Sequence, residues 1–256
     1  MTRRRFYAPR SAFAPDGAEV VLSDEESRHL RDVLRLRAGD EAYVFDGEGR
    51  EFACVVTEAG GRKAAARLDV RARAEPPHRE SPLELTLAVA LLKGEKFDLV
   101  VQKATELGVS RIVPVVTKRA DVRLRDERDA VAGSRIERWQ RLALEASKQS
   151  GRARVPEVAG PVAFDSFIKG DRGALVLRAL FAERGGAGLD SLAVEEKARP
   201  TTAALVGPEG GWEDEEIELA RTHGWKVVTL GGRTLRAETA AITVCVLLQN
   251  LFGDLR

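Results

Sequence analysis

Apolar and polar positions along this chain change their period at one point, and the change divides it in two. Up to about residue 74 the apolar residues fall in short alternating runs. "EAYVFDG" and "EFACVVTEA" read as strands joined by a turn at Gly47-Glu48-Gly49, and Lys63 to Val70 reads as another. Ahead of them lies one helical pattern, "SDEESRHLRDVLRL", opened by Ser23 and Glu26 as a capping box. Leu30, Val33 and Leu34 form its apolar face, while Arg28, Arg31 and Arg35, spaced i, i+3 and i+7, form a basic stripe on the other side. That stripe is either a solvated face or a row of phosphate contacts.

"RAEPPHRESP", Arg73 to Pro82, interrupts every period with three prolines. Beyond it strands and helices alternate. "LELTLAVALL" is a near-continuous apolar run, the pattern of a strand buried on both faces. "GEKFDLVVQKATELG" places Phe97, Val100, Val101, Ala104 and Leu107 on one helical face. Strand "RIVPVV", helix "SRIERWQRLALEASKQSG", strands "GALVLRAL" and "TAALVG", helix "DEEIELARTHG", strand "WKVVTLGG" and helix "RAETAAITVCVLLQNL" follow, with "FAERGGAGLDSLAVEEKARP" as a surface excursion. The pattern predicts a small barrel-like β domain over residues 1–74, a linker over 75–82, and an α/β domain with a mainly parallel sheet over 83–256. The last helix is apolar around nearly its whole circumference, which requires burial and points to a homodimer.

Composition narrows the class. With 256 residues, 44% apolar and 32% charged, the chain is long enough for full cores and ordinary for a water-soluble protein. No apolar run is long enough to span a membrane, and "MTRRRFYAPR" lacks the apolar stretch of a secretion signal, so the expected location is cytoplasmic. Cys54 and Cys245 stand far apart in apolar surroundings and read as buried free thiols; His29, His78 and His223 show no ligand spacing, so no metal is expected. The net charge of +1 hides segregation. Val109 to Arg154 carries twelve Lys and Arg against six Asp and Glu, and Phe181 to Thr222 carries four against ten. Such an uneven field can serve a polyanion.

Two loops carry the candidate chemistry, because ligands of open α/β sheets bind beyond the carboxyl ends of the strands. "GPEGG", Gly207 to Gly211, and "LGGRTLRAET", Leu230 to Thr239, are rich in glycines that permit positive φ and close backbone approach. "GPEGG" fits neither the dinucleotide fingerprint nor the Walker pattern. The helix after it opens with Glu213, Asp214, Glu215 and Glu216, acids expected to repel a phosphate. A neutral or cationic nucleoside suits the loop better.

The chain resembles the RsmE family of SPOUT-class methyltransferases. "RRFY", "HLRDVLRLRAGDE", "KGEKFDLVVQKATELGV", "QSGR", "LVGPEGGW" and "LGGRTLRAETA" match its pattern in order over nearly the whole length. The resemblance implies a PUA-like β-barrel RNA-binding domain followed by a SPOUT-type α/β domain with a trefoil knot. It implies a homodimer that uses S-adenosylmethionine to methylate N3 of a uridine in 16S ribosomal RNA, as free RNA or in the small ribosomal subunit. Cofactor contacts are then expected from Val206, Gly207, Pro208, Glu209, Gly210, Gly211, Leu230, Gly231, Leu235, Arg236 and Thr239, and RNA contacts from Arg5, Arg28, Arg31, Arg35 and Arg152. Three features depart from the family pattern. Glu213 stands where a Ser or Thr usually caps the helix, leaving Asp214 as the expected cap; Lys148 replaces a frequent acid; and "LVLRALFAE" lacks a polar-proline strand end.

Methyl transfer to N3 requires loss of its proton, and the charge left on the ring carbonyls calls for a guanidinium. Arg233 and Arg236 are the candidates, with Glu238 and Glu209 as possible proton acceptors. Two other readings stay open on the residues alone. One is a Rossmann-type dinucleotide enzyme; the other is an RNA-binding protein without catalysis.

Overall fold

The computed structural model describes residues 3–61, 64–120, 130–170, 177–192 and 201–255. The chain forms two compact units, Met1–Glu80 with Ser147–Val155, and Ser81–Ala146 with Pro156–Arg256. One divide falls inside the proline-rich segment, whereas the return of Ser147–Val155 to the first unit leaves no mark on the hydrophobic pattern.

The first unit contains β1 (Arg5–Tyr7), β2 (Glu19–Val21), α1 (Asp24–Arg28), β3 (Glu41–Phe45), β4 (Glu51–Glu58) and β5 (Arg67–Ala74). They make one five-stranded sheet in the order β1-β3-β4-β5-β2, antiparallel except where β1 runs parallel to β3. β1 and β2 have three residues each, too few to show alternation. The strand expected from Lys63 begins at Arg67; Lys63 itself lies outside the described residues. Phe6, Val20, Leu30, Leu36, Val44, Val56 and Leu68 form the core, and burying each such side chain contributes on the order of 1.5–3 kcal/mol.

The helix ahead of β3 corrects the expected arginine stripe. α1 starts as read, with the Ser23 hydroxyl accepting from the Glu26 N–H at 3.2 Å. Glu26 does not reciprocate; it is buried and pairs with Lys148. After Arg28 the chain widens into a π turn over His29–Val33, where Leu34 N–H donates to the His29 carbonyl at 3.0 Å. The extra residue in that turn lets Leu30 and Leu36 both enter the core, leaves Val33 67% exposed, and ends the helix before Arg35, whose φ is +55°.

The second unit contains β6 (Glu84–Ala90), α2 (Lys96–Glu106), β7 (Arg111–Val116), most of α3 (Ala130–Ser150), β8 (Glu157–Val158), β9 (Val162–Ala163), α4 (Phe164–Lys169), β10 (Leu177–Phe181), β11 (Thr201–Val206), α5 (Asp214–Thr222), β12 (Lys226–Val228) and α6 (Ala237–Phe252). The sheet order is β12-β10-β11-β6-β7-β8, with β9 also on β7, and every pairing is parallel. α2 and α6 pack together, with α6 against β6 and β11; α4 packs on α5 and β7. β6 is central, and Leu85, Leu87, Ala88, Val89 and Ala90 are all buried, as an apolar run covered on both faces requires. From β6 the order runs one way to β7 and β8 and the other way to β11, β10 and β12, so the topology switches between β6 and β11. The start of "GALVLRAL" at residues 173–176, and residues 193–200 of the expected excursion, lie outside the described residues.

Candidate active site

A cleft of about 530 Å³ opens at the carboxyl ends of β10, β11 and β12. Its walls are residues 181–183 after β10, 206–212 after β11, 229–237 between β12 and α6, and Ala240. This is where an open parallel sheet presents its loops to a ligand. Val206, Gly207, Pro208, Glu209, Gly210, Gly211, Leu230, Gly231, Leu235 and Arg236, all expected from sequence, meet there, together with Arg233. Thr239 does not. Ala237 and Ala240 share the side of α6 that faces the cleft, Arg236 reaches it from the N-cap, and Thr239 lies exposed off that side. Phe181, Ala182 and Glu183, at the strand end whose sequence departs from the family pattern, form a further wall; none is among the contacts expected from sequence, because the end of β10 carries no glycine signal.

The β11 loop is held in shape from beneath. Trp212 is fully buried, and its indole N–H donates to the Phe181 carbonyl at 2.9 Å, tying the loop to the end of β10. A Cβ at Gly207 would lie 2.7 Å from that indole, so glycine there is required by the ring folded under it. Gly211 has φ +72° and backs onto Glu183. Gly210 has no such φ; a Cβ there would meet Arg119 at 3.2 Å.

The four acids of α5 do not form an open negative field, which corrects the expectation that they repel an anion. The N-cap is Glu213 rather than Asp214, in a capping box with Glu216, whose carboxylate accepts from the Glu213 N–H at 3.0 Å. Glu216 also accepts from the Lys118 N–H at 3.0 Å. Arg119 donates to Glu213 at 2.7 Å and to the Gly210 carbonyl at 3.0 Å. Arg184 donates to Asp214 at 2.7 Å and to the Trp212 carbonyl at 3.1 Å, and Lys118 pairs with Glu215. These hydrogen bonds raise the pKa values of all three cations and lower that of Glu215. Charges from two segments segregated in sequence thus meet as a brace around the glycine loop.

From the opposite side Lys96, the first residue of α2, pairs with Glu209. This bond keeps its ammonium firmly charged; Glu238 reinforces that charge and Arg236 opposes it. Glu238 is not among the residues lining the cleft, and its Oε2 is buried without a hydrogen-bond partner among the described residues. Arg233 and Arg236 are exposed at the cleft, and neither has an ion-pair partner among the described residues.

The arginines expected to touch RNA fare differently. Arg5 donates twice to the fully buried Glu51, at 3.0 and 2.8 Å, and to the carbonyl of Arg152 at 3.0 Å. Arg152 is itself buried and bound to Glu80 at 3.0 and 2.7 Å. Both hold Ser147–Val155 within the first unit, and neither guanidinium is exposed to meet a phosphate. Arg31 is taken up by Asp32 and the Gly61 carbonyl. Arg28 and Arg35 remain exposed.

Residues 79–249 match the family model of an RNA methyltransferase domain, and residues 22–69 that of an RNA methyltransferase PUA domain. The ribosomal RNA small subunit methyltransferase E of Synechocystis is 34% identical, over 87% of this chain and 70% of its own length. The Rickettsia conorii protein of the same name is 30% identical, over 95% and 93%. The ribosomal RNA small subunit methyltransferase E of Neisseria gonorrhoeae, solved bound to S-adenosyl methionine, superposes with a TM-score of 0.85 at 30% identity, both chains covered in full. With its α/β sheet, its glycine-walled cleft and its PUA domain, the chain belongs to the RsmE family of ribosomal RNA small subunit methyltransferases.

Proposed function

We propose that this protein transfers a methyl group from S-adenosylmethionine to N3 of one uridine in 16S ribosomal RNA. The observation that carries the reading is the cleft itself, formed by three strand ends around bare glycine backbone. Gly231 and Gly232 line it at φ +75° and +71°, with nothing within 4 Å of a Cβ at either. Glu183 and Glu209 line it with their charges already met, by Arg184 and Lys96. The cations that pair around the β11 loop, Lys96, Lys118, Arg119 and Arg184, are each committed to a carboxylate, so among the described residues they form no phosphate cradle there. These residues fit a sulfonium nucleoside, which brings no phosphate.

Bound there, S-adenosylmethionine supplies an electrophilic methyl group. The chain supplies position and charge. The loops after β10, β11 and β12 orient the donor, and much of the rate enhancement comes from aligning the acceptor nitrogen with it. Arg233 and Arg236 stabilise the negative charge that spreads onto the uracil carbonyls as N3 gives up its proton to Glu209, the expected acceptor that lines the cleft.

A homodimer is part of the same reading. On α6 Val246 is 40% exposed, with Ile242 one turn before it half-buried, and Leu99 of α2 is 40% exposed. An apolar stripe of this kind is covered most economically by a second copy across a two-fold axis. The trefoil knot and the cytoplasmic location are carried by family membership; no helix among the described residues is long and apolar enough to cross a membrane.

Titration calorimetry with S-adenosylmethionine and with NAD, followed by methylation of small ribosomal subunits, tests the assignment. Binding of the first and mass-mapped methylation of one uridine are expected; binding of NAD instead would return the site to a dinucleotide enzyme. Arg236→Ala should lower kcat by roughly 100-fold with unchanged cofactor affinity. Equal loss of affinity would make Arg236 a pocket residue.

A further inference from the structure

We infer that a second cavity in the α/β unit is a subsite for one unstacked RNA nucleotide beside the acceptor uridine; the inference rests on the methyl-transfer reading of the neighbouring cleft. The cavity, about 280 Å³, opens at the carboxyl end of β6, and β6 pairs directly with β11, the strand that leads into the glycine loop. It therefore continues the row of strand ends that forms the cofactor cleft. Lys96 connects the two. Glu95 just before it and Asp98 two residues after it line the second cavity, while its own ammonium pairs with Glu209 in the first. The two sites are thus joined through one side chain, an adjacency that suits neighbouring nucleotides on a splayed strand.

The lining suits a base and a phosphate. Leu91, Leu92 and Trp139 provide apolar wall. The Trp139 ring is locked, packed on Phe97 at 4.4 Å between centroids, with its N–H donated to Asp98 at 3.0 Å. Arg138 pairs with the same carboxylate, so the charge of Asp98 is already compensated. One turn earlier on α3, Arg135 lines the cavity half-buried and has no ion-pair partner among the described residues. Glu95 is exposed at the rim. A half-buried guanidinium beside apolar wall, with the adjacent acid neutralised, favours a ligand that is flat and apolar at one end and anionic at the other. Single-stranded RNA is recognised in this way, with bases set against aromatic or guanidinium planes and arginine on phosphate. Enzymes that modify a base must take it out of its stack, and gripping the adjacent nucleotide holds the strand open.

The test uses the full-length protein, S-adenosylmethionine and small ribosomal subunits, with an RNA fragment carrying 4-thiouridine beside the acceptor. Arg135→Ala should raise KM for RNA about tenfold or more, the effect of losing a charge-assisted contact, with kcat little changed. The slope of log KM against log salt should flatten by about one ion, and Arg135→Lys should recover most of the loss. Photocrosslinks from the neighbouring 4-thiouridine should map to peptides containing Leu91, Leu92 or Trp139. An unchanged KM and salt slope in Arg135→Ala, or crosslinks only to other peptides, would overturn the subsite. Cofactor affinity, read separately by calorimetry, should be wild-type in both variants; its absence in the unmodified protein would overturn the methyl-transfer reading instead.

Discussion

Arg5 and Glu51 show how a residue that looks like surface chemistry becomes architecture. The basic start of the chain suggests phosphate contacts, yet Glu51 is fully buried and accepts from both Arg5 and Arg3. Removing one partner of a buried pair leaves an uncompensated charge, so Glu51→Ala should cost about 3 kcal/mol, measured by urea unfolding of the first unit. A loss below about 1 kcal/mol would mean that the pair is no stronger than a surface one. The two cysteines are legible from sequence alone. Both are buried, and burial pushes each thiol from 9.0 up to about 12. Below pH 9 both states hold the thiols neutral and folding keeps its full contribution from them. Between pH 9 and 12 the unfolded chain ionises first, so stability should fall across that window. In the native protein neither thiol should react with iodoacetamide at pH 8; rapid modification before unfolding would contradict their burial.

The element that decides the site is the loop from β11 to α5. Its glycines allow its shape, but what fixes that shape lies elsewhere in the sequence: Trp212 hydrogen-bonded to the end of β10, and Arg119 and Arg184 on the carbonyls of Gly210 and Trp212. Gly207→Ala should therefore act through the indole, costing about 1–3 kcal/mol by overpacking and weakening S-adenosylmethionine binding in calorimetry. Unchanged affinity in a folded Gly207→Ala protein would detach the loop's shape from cofactor binding. Arg184→Ala should loosen the same loop without touching the cleft's apolar wall, raising the cofactor Kd several-fold while the far-ultraviolet circular dichroism stays as in the wild type. The π turn after α1 teaches the opposite lesson. There the arginine spacing obeyed helical geometry, and the geometry changed because two leucines six residues apart both needed the core.

At the scale of the whole molecule, the proposed dimer is tested at the apolar positions that α6 exposes among the described residues. If two copies meet through α6, Val246→Asp and Ile242→Asp should give monomers in sedimentation across a range of concentrations, because an unpaired charge would be buried at that contact. Methylation should fall with them, since the loop lining the cleft runs straight into this helix. A fully active monomer, or an unaltered dimer in both variants, would remove α6 from the interface.

Periodicity in the sequence determined the α/β character of the second unit, the burial of β6 on both faces, the helical face of α2, the apolar character of α6, and the two glycine loops, since each is encoded within a single run of residues. The family motifs located the cleft for the same reason. Tertiary structure alone decided what depends on residues distant in the chain. It set which cations neutralise the acids of α5, tied the β11 loop to the end of β10 through Trp212, and returned Ser147–Val155 to the first unit through Arg5, Arg152, Glu51 and Glu80. Local patterns record burial and backbone preference; they do not record which charge finds which partner, because that choice is made only when the strands are laid side by side.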